Sequence, residues 1–182
     1  MAHKFSTSYI EDSRSLFHYY KKLGEGAMEQ VSDEQLFVKL DEEMNSIAIV
    51  VKHMAGNMCS RWTDFLTSDG EKPDRNRDGE FSAPPATRSD LMKLWNQGWG
   101  VFFSALDSLS DSDLARKVTI RGEPHSVMQA INRQIAHYAY HCGQIVFLAK
   151  HFKSSVWKSL TVPRNKSAEF NQKVLAGEAS QR

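Results

Sequence analysis

The sequence is short of cysteine, of net charge and of long apolar runs, and each shortage removes a class of protein. Two cysteines in 182 residues, Cys59 and Cys142, stand far apart in apolar surroundings. They form no disulfide framework and read as core thiols in a reducing compartment. Lys and Arg number 23 against 22 Asp and Glu, a net charge of +1. That balance gives no electrostatic ground for a nucleic-acid or anionic-membrane partner, both of which select basic excess. No stretch approaches 18 uninterrupted apolar residues, and the first residues carry no apolar run of signal-peptide length. A cytoplasmic protein with no membrane partner is expected. Strand patterning is almost absent too, so the chain is expected to be all-α. At this length one core buries enough apolar surface to fold without a metal, so a metal held here would serve function.

What is present is helical periodicity. Ser8 with Glu11 forms a capping-box signal before Tyr9, Leu16, Phe17, Tyr20 and Leu23, and Gly24 and Gly26 weaken the last turns. Ser32 with Gln35 starts a short helical segment through Leu40. The stripe Ile47, Val50, Met54, Met58, Trp62 and Phe65 predicts a helix over 46–66. Residues 67–86 are rich in Asp, Gly, Pro and Arg and read as a loop, long enough to be functional or a crossover. Thr87 with Asp90 caps a third long helix, with Leu91, Leu94, Trp95, Phe102, Leu106 and Leu109 on its apolar side. Residues 117–125 read as an extended turn around Arg121 and Gly122. Ser126 with Gln129 caps a fourth helix running to about Lys150. The tail, 155–182, is expected to pack Trp157, Val162 and Phe170 on the rest and to fray over its last eight or so residues. With no repeat and no second domain, 1–182 is expected to be one four-helix-bundle domain with its core in 8–150.

Seven histidines stand at positions 3, 18, 53, 125, 137, 141 and 151. His137 and His141 are four apart in the fourth helix, so both rings fall on one face, one turn from each other. Both lie on the flank of the apolar stripe, and His53 lies on the flank of its own helix. His53 comes level with His137 and His141 only if their two helices run antiparallel. The 20-residue loop, which at about 3.3 Å per residue reaches roughly 60 Å, permits this in an up-down-down-up bundle with a long crossover between the second and third long helices. His3, His18, His125 and His151 fall at termini, surfaces or helix ends and are set aside.

The segments KHMAGNMCSRWTDF, DRNRDGEF, INRQIAHYAYHCGQIVFLAKH and PRNKSAEFN resemble the DinB/YfiT-like superfamily of metal-dependent four-helix-bundle proteins, in a subgroup without assigned activity. The resemblance spans nearly the whole chain. It implies one divalent metal held by His53, His137 and His141, the set reached above from spacing. Some branches are transferases or isomerases that use a low-molecular-weight thiol; no thiol-binding motif of those branches stands in this sequence.

Three neutral imidazoles leave the charge on the ion and a coordination position open to water or substrate. Zn or Ni fits such ligands best, and Fe or Co also fits. Asn57, Gln134 and Gln144 are candidates to accept the outer ring N–H groups. Arg133, one turn before His137, is a candidate to hold an anionic substrate group, and Tyr140 a candidate acid or hydrogen-bond donor. Cys59 and Cys142 point away from the histidine faces. The chain therefore reads as a metal-binding protein and metal-dependent enzyme of thiol-transferase or hydrolase type acting on a small substrate. The alternative is a non-catalytic metal-binding or stress-related dimeric protein. A homodimer built on exposed aromatics such as Tyr19, Trp99 or Trp157 is compatible with both.

Overall fold

The computed structural model describes residues 5–180, so His3 lies outside the described residues. The chain is mostly helical, with one small antiparallel sheet. The α-helices are α1 Tyr9–Met28, α2 Asp33–Phe37, α3 Ile47–Trp62, α4 Arg88–Asp107, α5 Val127–Lys153 and α6 Ser167–Leu175. Each long helix starts at a hydroxyl that accepts an otherwise unpaired N–H. Ser8 accepts from Glu11, Ser46 from Ile49, Thr87 from Asp90 and Ser126 from Gln129, each bond stabilising by about 1 kcal/mol.

The boundaries depart from expectation where tertiary structure intervenes. α3 stops at Trp62, short of the expected residue 66, because Thr63 is extended and Asp64 turns back at φ 49. Phe65 remains buried from the turn, so its place in the apolar stripe did not mean that it was helical. α5 runs on to Lys153 and breaks at Ser154, at φ 48.

The expected extended turn is a β-hairpin, β1 Lys117–Ile120 paired with β2 Glu123–Ser126. Arg121 at φ 55 and Gly122 at φ 76 give both central residues the positive φ of a two-residue type I′ turn. The strain at Arg121 is compensated from the long loop. Asp69 accepts from the backbone N–H of Arg121 and of Gly122, each at 2.8 Å, and Gly70 N–H donates to Thr119 O at 2.8 Å.

The core between the long helices is aromatic, with Phe17, Trp62, Trp95, Trp99, Phe102 and Tyr138 buried. Trp99 is 1% exposed, which corrects its expected place on a dimer surface: four residues after Trp95, it shares that residue's inward face. Side chains connect α1 to α5, α1 to α4 and α3 to α4. Tyr9 and Phe17 of α1 meet Asn132 and Tyr138 of α5, Arg14 and Glu25 of α1 meet Asp107 and Trp95 of α4, and Ala55 of α3 meets Gly98 of α4. In the tail, Trp157 and Leu160 pack against the core, while Val162 and Phe170 line a cleft with Tyr19 of α1. α6, which carries Phe170, was not anticipated. Among the described residues no helix is long and apolar enough to cross a membrane.

Candidate metal centre

α3 and α5 bring together the three histidines that helical spacing selected. His53 Nε2 lies 3.3 Å from His137 Nε2, which lies 3.1 Å from His141 Nε2. One ring nitrogen of each lies within 4.8 Å of the others, close enough to share a metal ion. Nitrogens bound tetrahedrally at about 2.05 Å from a zinc-like ion sit about 3.3 Å apart, so two edges of the triangle already have that spacing.

The outer ring nitrogens decide what the inner ones can do. His53 Nδ1 donates to Glu80 Oε2 at 2.8 Å, and His141 Nδ1 donates to Gln144 Oε1 at 2.7 Å. With their protons committed outward, these two neutral rings turn lone pairs toward His137 Nε2. A single proton on His137 can serve only one of them, and would leave its buried, unpartnered Nδ1 as a bare acceptor. A cation at the centre satisfies all three inner lone pairs, so the donor set fits a metal.

Electrostatics keeps the two rings of α5 neutral. Burial, then the charges of His141, His53, Arg133 and Arg61, holds His137 neutral down to a pKa of about 3. Burial holds His141 down to about 4, against the opposing effect of its bond to Gln144. Neutral imidazole is the ligand form.

Glu80 was not foreseen. It lies on a 3₁₀ turn, Asp78–Phe81, within the long loop, 6% exposed. Burial raises its pKa, but bonds from His53 and Arg75 outweigh this and keep it a carboxylate. Arg75 grips both oxygens, Nε to Oε1 at 2.8 Å and one terminal nitrogen to Oε2 at 2.9 Å. Lys52, the residue before His53, anchors the same turn by donating to the carbonyls of Gly79, Ser82 and Ala83 at 2.6, 2.7 and 3.2 Å. Phe81 stacks on the His53 ring with centroids 4.6 Å apart. Gly56 makes room: a Cβ there would lie 2.5 Å from Glu80 Oε1. The loop thus supplies a carboxylate that orients a ring on α3, as outer partners of metal-bound imidazoles do.

The other candidates sort unevenly. Gln144 partners His141, and its amide donates to the hydroxyl of Tyr140 at 3.1 Å. Tyr140 itself is 63% exposed. Asn57 accepts from the Tyr138 hydroxyl at 3.2 Å and makes no hydrogen bond to an imidazole among the described residues. Gln134 is buried with its Oε1 unpartnered and makes no hydrogen bond to a histidine among the described residues. Arg133 is exposed, and its charge reaches His137. Cys59 and Cys142 lie outside the histidine group, their thiols pushed up by burial, that of Cys142 to about 12. His18 stacks on Phe103, His125 faces Glu123 O, and His151 lies against Phe152.

A sequence family described as "Protein of unknown function (DUF1572)" matches residues 4–166. The chain belongs to this family. The match spans His53, Glu80, His137, His141 and Gln144, and stops short of α6. No curated protein and no solved structure matches the chain.

Proposed function

We propose that this member of the family is a metal-dependent enzyme holding one divalent ion on His53, His137 and His141, with a coordination position left for a small substrate. The convergence of three Nε2 atoms whose outer partners are already committed carries the reading. Imidazole-only ligation favours Zn or Ni, with Fe or Co also suited. A bound ion of this kind acts as a Lewis acid toward water, a thiolate or a carbonyl, which suits transfer to a small thiol or hydrolysis. The chain's own part is to keep His137 and His141 unprotonated, to fix the His53 ring through Glu80 and to orient His141 through Gln144.

The same reading places the chain with DinB/YfiT-like bundles. The contacts above support an up-down-down-up order: α1 meets α5 with numbering rising together, and meets α4 with numbering opposed. Ala55 meets Gly98 and Trp62 meets Phe102, so α3 and α4 rise together.

Elemental analysis of the purified protein is expected to give one equivalent of divalent metal, lost in His137→Ala. Metal content unchanged by that substitution refutes the assignment. Turnover of thiol and electrophile substrates by the loaded protein separates an enzyme from a non-catalytic metal binder.

A further inference from the structure

The polar seam does not end at the histidines. α3 carries His53, Asn57 and Arg61 at successive intervals of four, each step turning about 40° around the helix. Tyr138, Gln134 and the two histidines of α5 stand on the other side. Arg61 is 3% exposed, and its Nε and one terminal nitrogen have no hydrogen-bond partner among the described residues. Its nearest carboxylate oxygen, Glu71 Oε2, is 3.8 Å away. That oxygen serves other arginines, Arg75 at 3.0 Å and Arg121 at 3.3 Å, while Glu80 is taken by Arg75 and His53.

Three guanidiniums, of Arg61, Arg75 and Arg121, therefore share two carboxylates, of Glu71 and Glu80, an excess of 3 − 2 = +1. Neighbouring Asp69 accepts from the backbone N–H groups of Glu71, Arg121 and Gly122, and its charge is felt by both Arg61 and Lys72 without a side-chain bond to Arg61. Gly70 closes over Arg61, leaving no room for a Cβ, which would sit 2.8 Å from Arg61 Cδ. Buried donors without acceptors are strongly disfavoured, and a second orphaned group, Gln134 Oε1, lies in the same seam.

We propose that Arg61 is the anion-binding end of the substrate site, so that the molecule taken up carries a carboxylate besides its metal-binding group. The inference rests on the metal-dependent reading above and names the substrate class for it. A carboxylate is the planar two-oxygen acceptor that fits a guanidinium edge. Arg61 is eight residues beyond His53, about 12 Å along the helix, and its side chain spans part of that distance. A chain of a few carbons between the two groups bridges the rest.

The test uses Co(II)-loaded protein and mercaptocarboxylates with two to five methylenes, each against its mercaptoamide counterpart. Binding is read from the sulfur-to-cobalt charge-transfer band. At the best length the carboxylate is expected to bind at least about tenfold tighter than the amide, an advantage lost in Arg61→Met and reduced in Arg61→Lys. Arg61→Met removes a buried charge whose one ion-pair partner, Glu71, keeps Arg75 and Arg121, so it is expected to fold as well as the parent, checked by circular dichroism and an unchanged cobalt spectrum. Equal affinity for carboxylate and amide overturns the proposal, and so does an advantage that survives Arg61→Met. Failure to bind cobalt refutes the metal reading instead. The subsite is then decided on metal-free protein by propionate: a rise in Tm in the parent and none in Arg61→Met supports it, and no rise in the parent overturns it.

Discussion

Gly56→Ala tests whether the loop carboxylate is seated where the metal centre requires it. In an exposed helix interior this change stabilises by about 1 kcal/mol, the difference in helix propensity. Here the new Cβ would sit 2.5 Å from Glu80 Oε1 and 2.8 Å from its Cδ. A free glutamate would swing away. Glu80 cannot do so cheaply, because Arg75 holds both oxygens and His53 holds one. Overpacking against a fixed group costs about 1–3 kcal/mol, so the substitution is expected to destabilise. In a Glu80→Ala background the obstacle is gone and the propensity gain of about 1 kcal/mol is expected to emerge. The propensity term is common to both backgrounds, so the coupling equals the overpacking cost, about 1–3 kcal/mol, and the effect of Gly56→Ala changes sign where that cost exceeds the propensity gain. Urea unfolding of the four metal-free proteins measures it. A Gly56→Ala change that stabilises both backgrounds equally refutes the placement of Glu80, and with it the orientation of His53 by the loop.

Other perturbations separate ligands, outer partners and mere neighbours. Gln144→Leu is expected to weaken metal binding about 10- to 100-fold, as loss of an outer hydrogen bond to a metal-bound imidazole does; equal affinity in a competition titration with a chelator refutes its role. Asn57→Ala is expected to leave metal affinity unchanged and to cost about 1–2 kcal/mol of stability, because it removes the acceptor of the buried Tyr138 O–H, which keeps only the bond it accepts from Trp62; a large affinity loss in the same titration contradicts this. In metal-free protein His137 and His141 stay neutral down to about 3 and about 4, whereas unfolded imidazoles protonate near 6.5. The unfolded chain therefore binds more protons below that pH, and stability falls as pH drops from about 6.5 toward 4, by at most about 1.4 kcal/mol per unit for each ring. Urea midpoints across that range are expected to fall less steeply in a His137→Gln, His141→Gln double variant, and an unchanged slope refutes the assignment.

Sequence made legible what depends on neighbours a few residues away. The capping hydroxyls of Ser8, Thr87 and Ser126 were readable because capping is a contact with residues two or three positions on. His53, His137 and His141 were readable because they ride on helices whose period fixes the faces they share. The hairpin was missed because Arg-Gly is a poor type I′ signal. What makes Arg121 tolerable there is Asp69, 52 residues earlier. Trp99 was misplaced by leaving it out of a stripe to which its spacing from Trp95 assigns it. Arg61 and Arg75 carried no mark at all, since a buried arginine is recognised only by what surrounds it.

The two outer partners of the histidines show the same division with a functional consequence. Gln144 sits three residues from His141 on the same helix, so its help to the ring is built into α5 and survives any movement elsewhere. Glu80 reaches His53 from 27 residues away, on a loop held by Lys52, Arg75 and the space left by Gly56. One ring is therefore oriented locally and the other by tertiary fit. A change that unseats the loop without touching a histidine, such as Lys52→Met, removes three anchors from the turn. It is expected to weaken metal binding through His53 alone, leaving the pair on α5 in place. Metal affinity equal to that of the parent would show that the loop is a cover over the centre and not part of it.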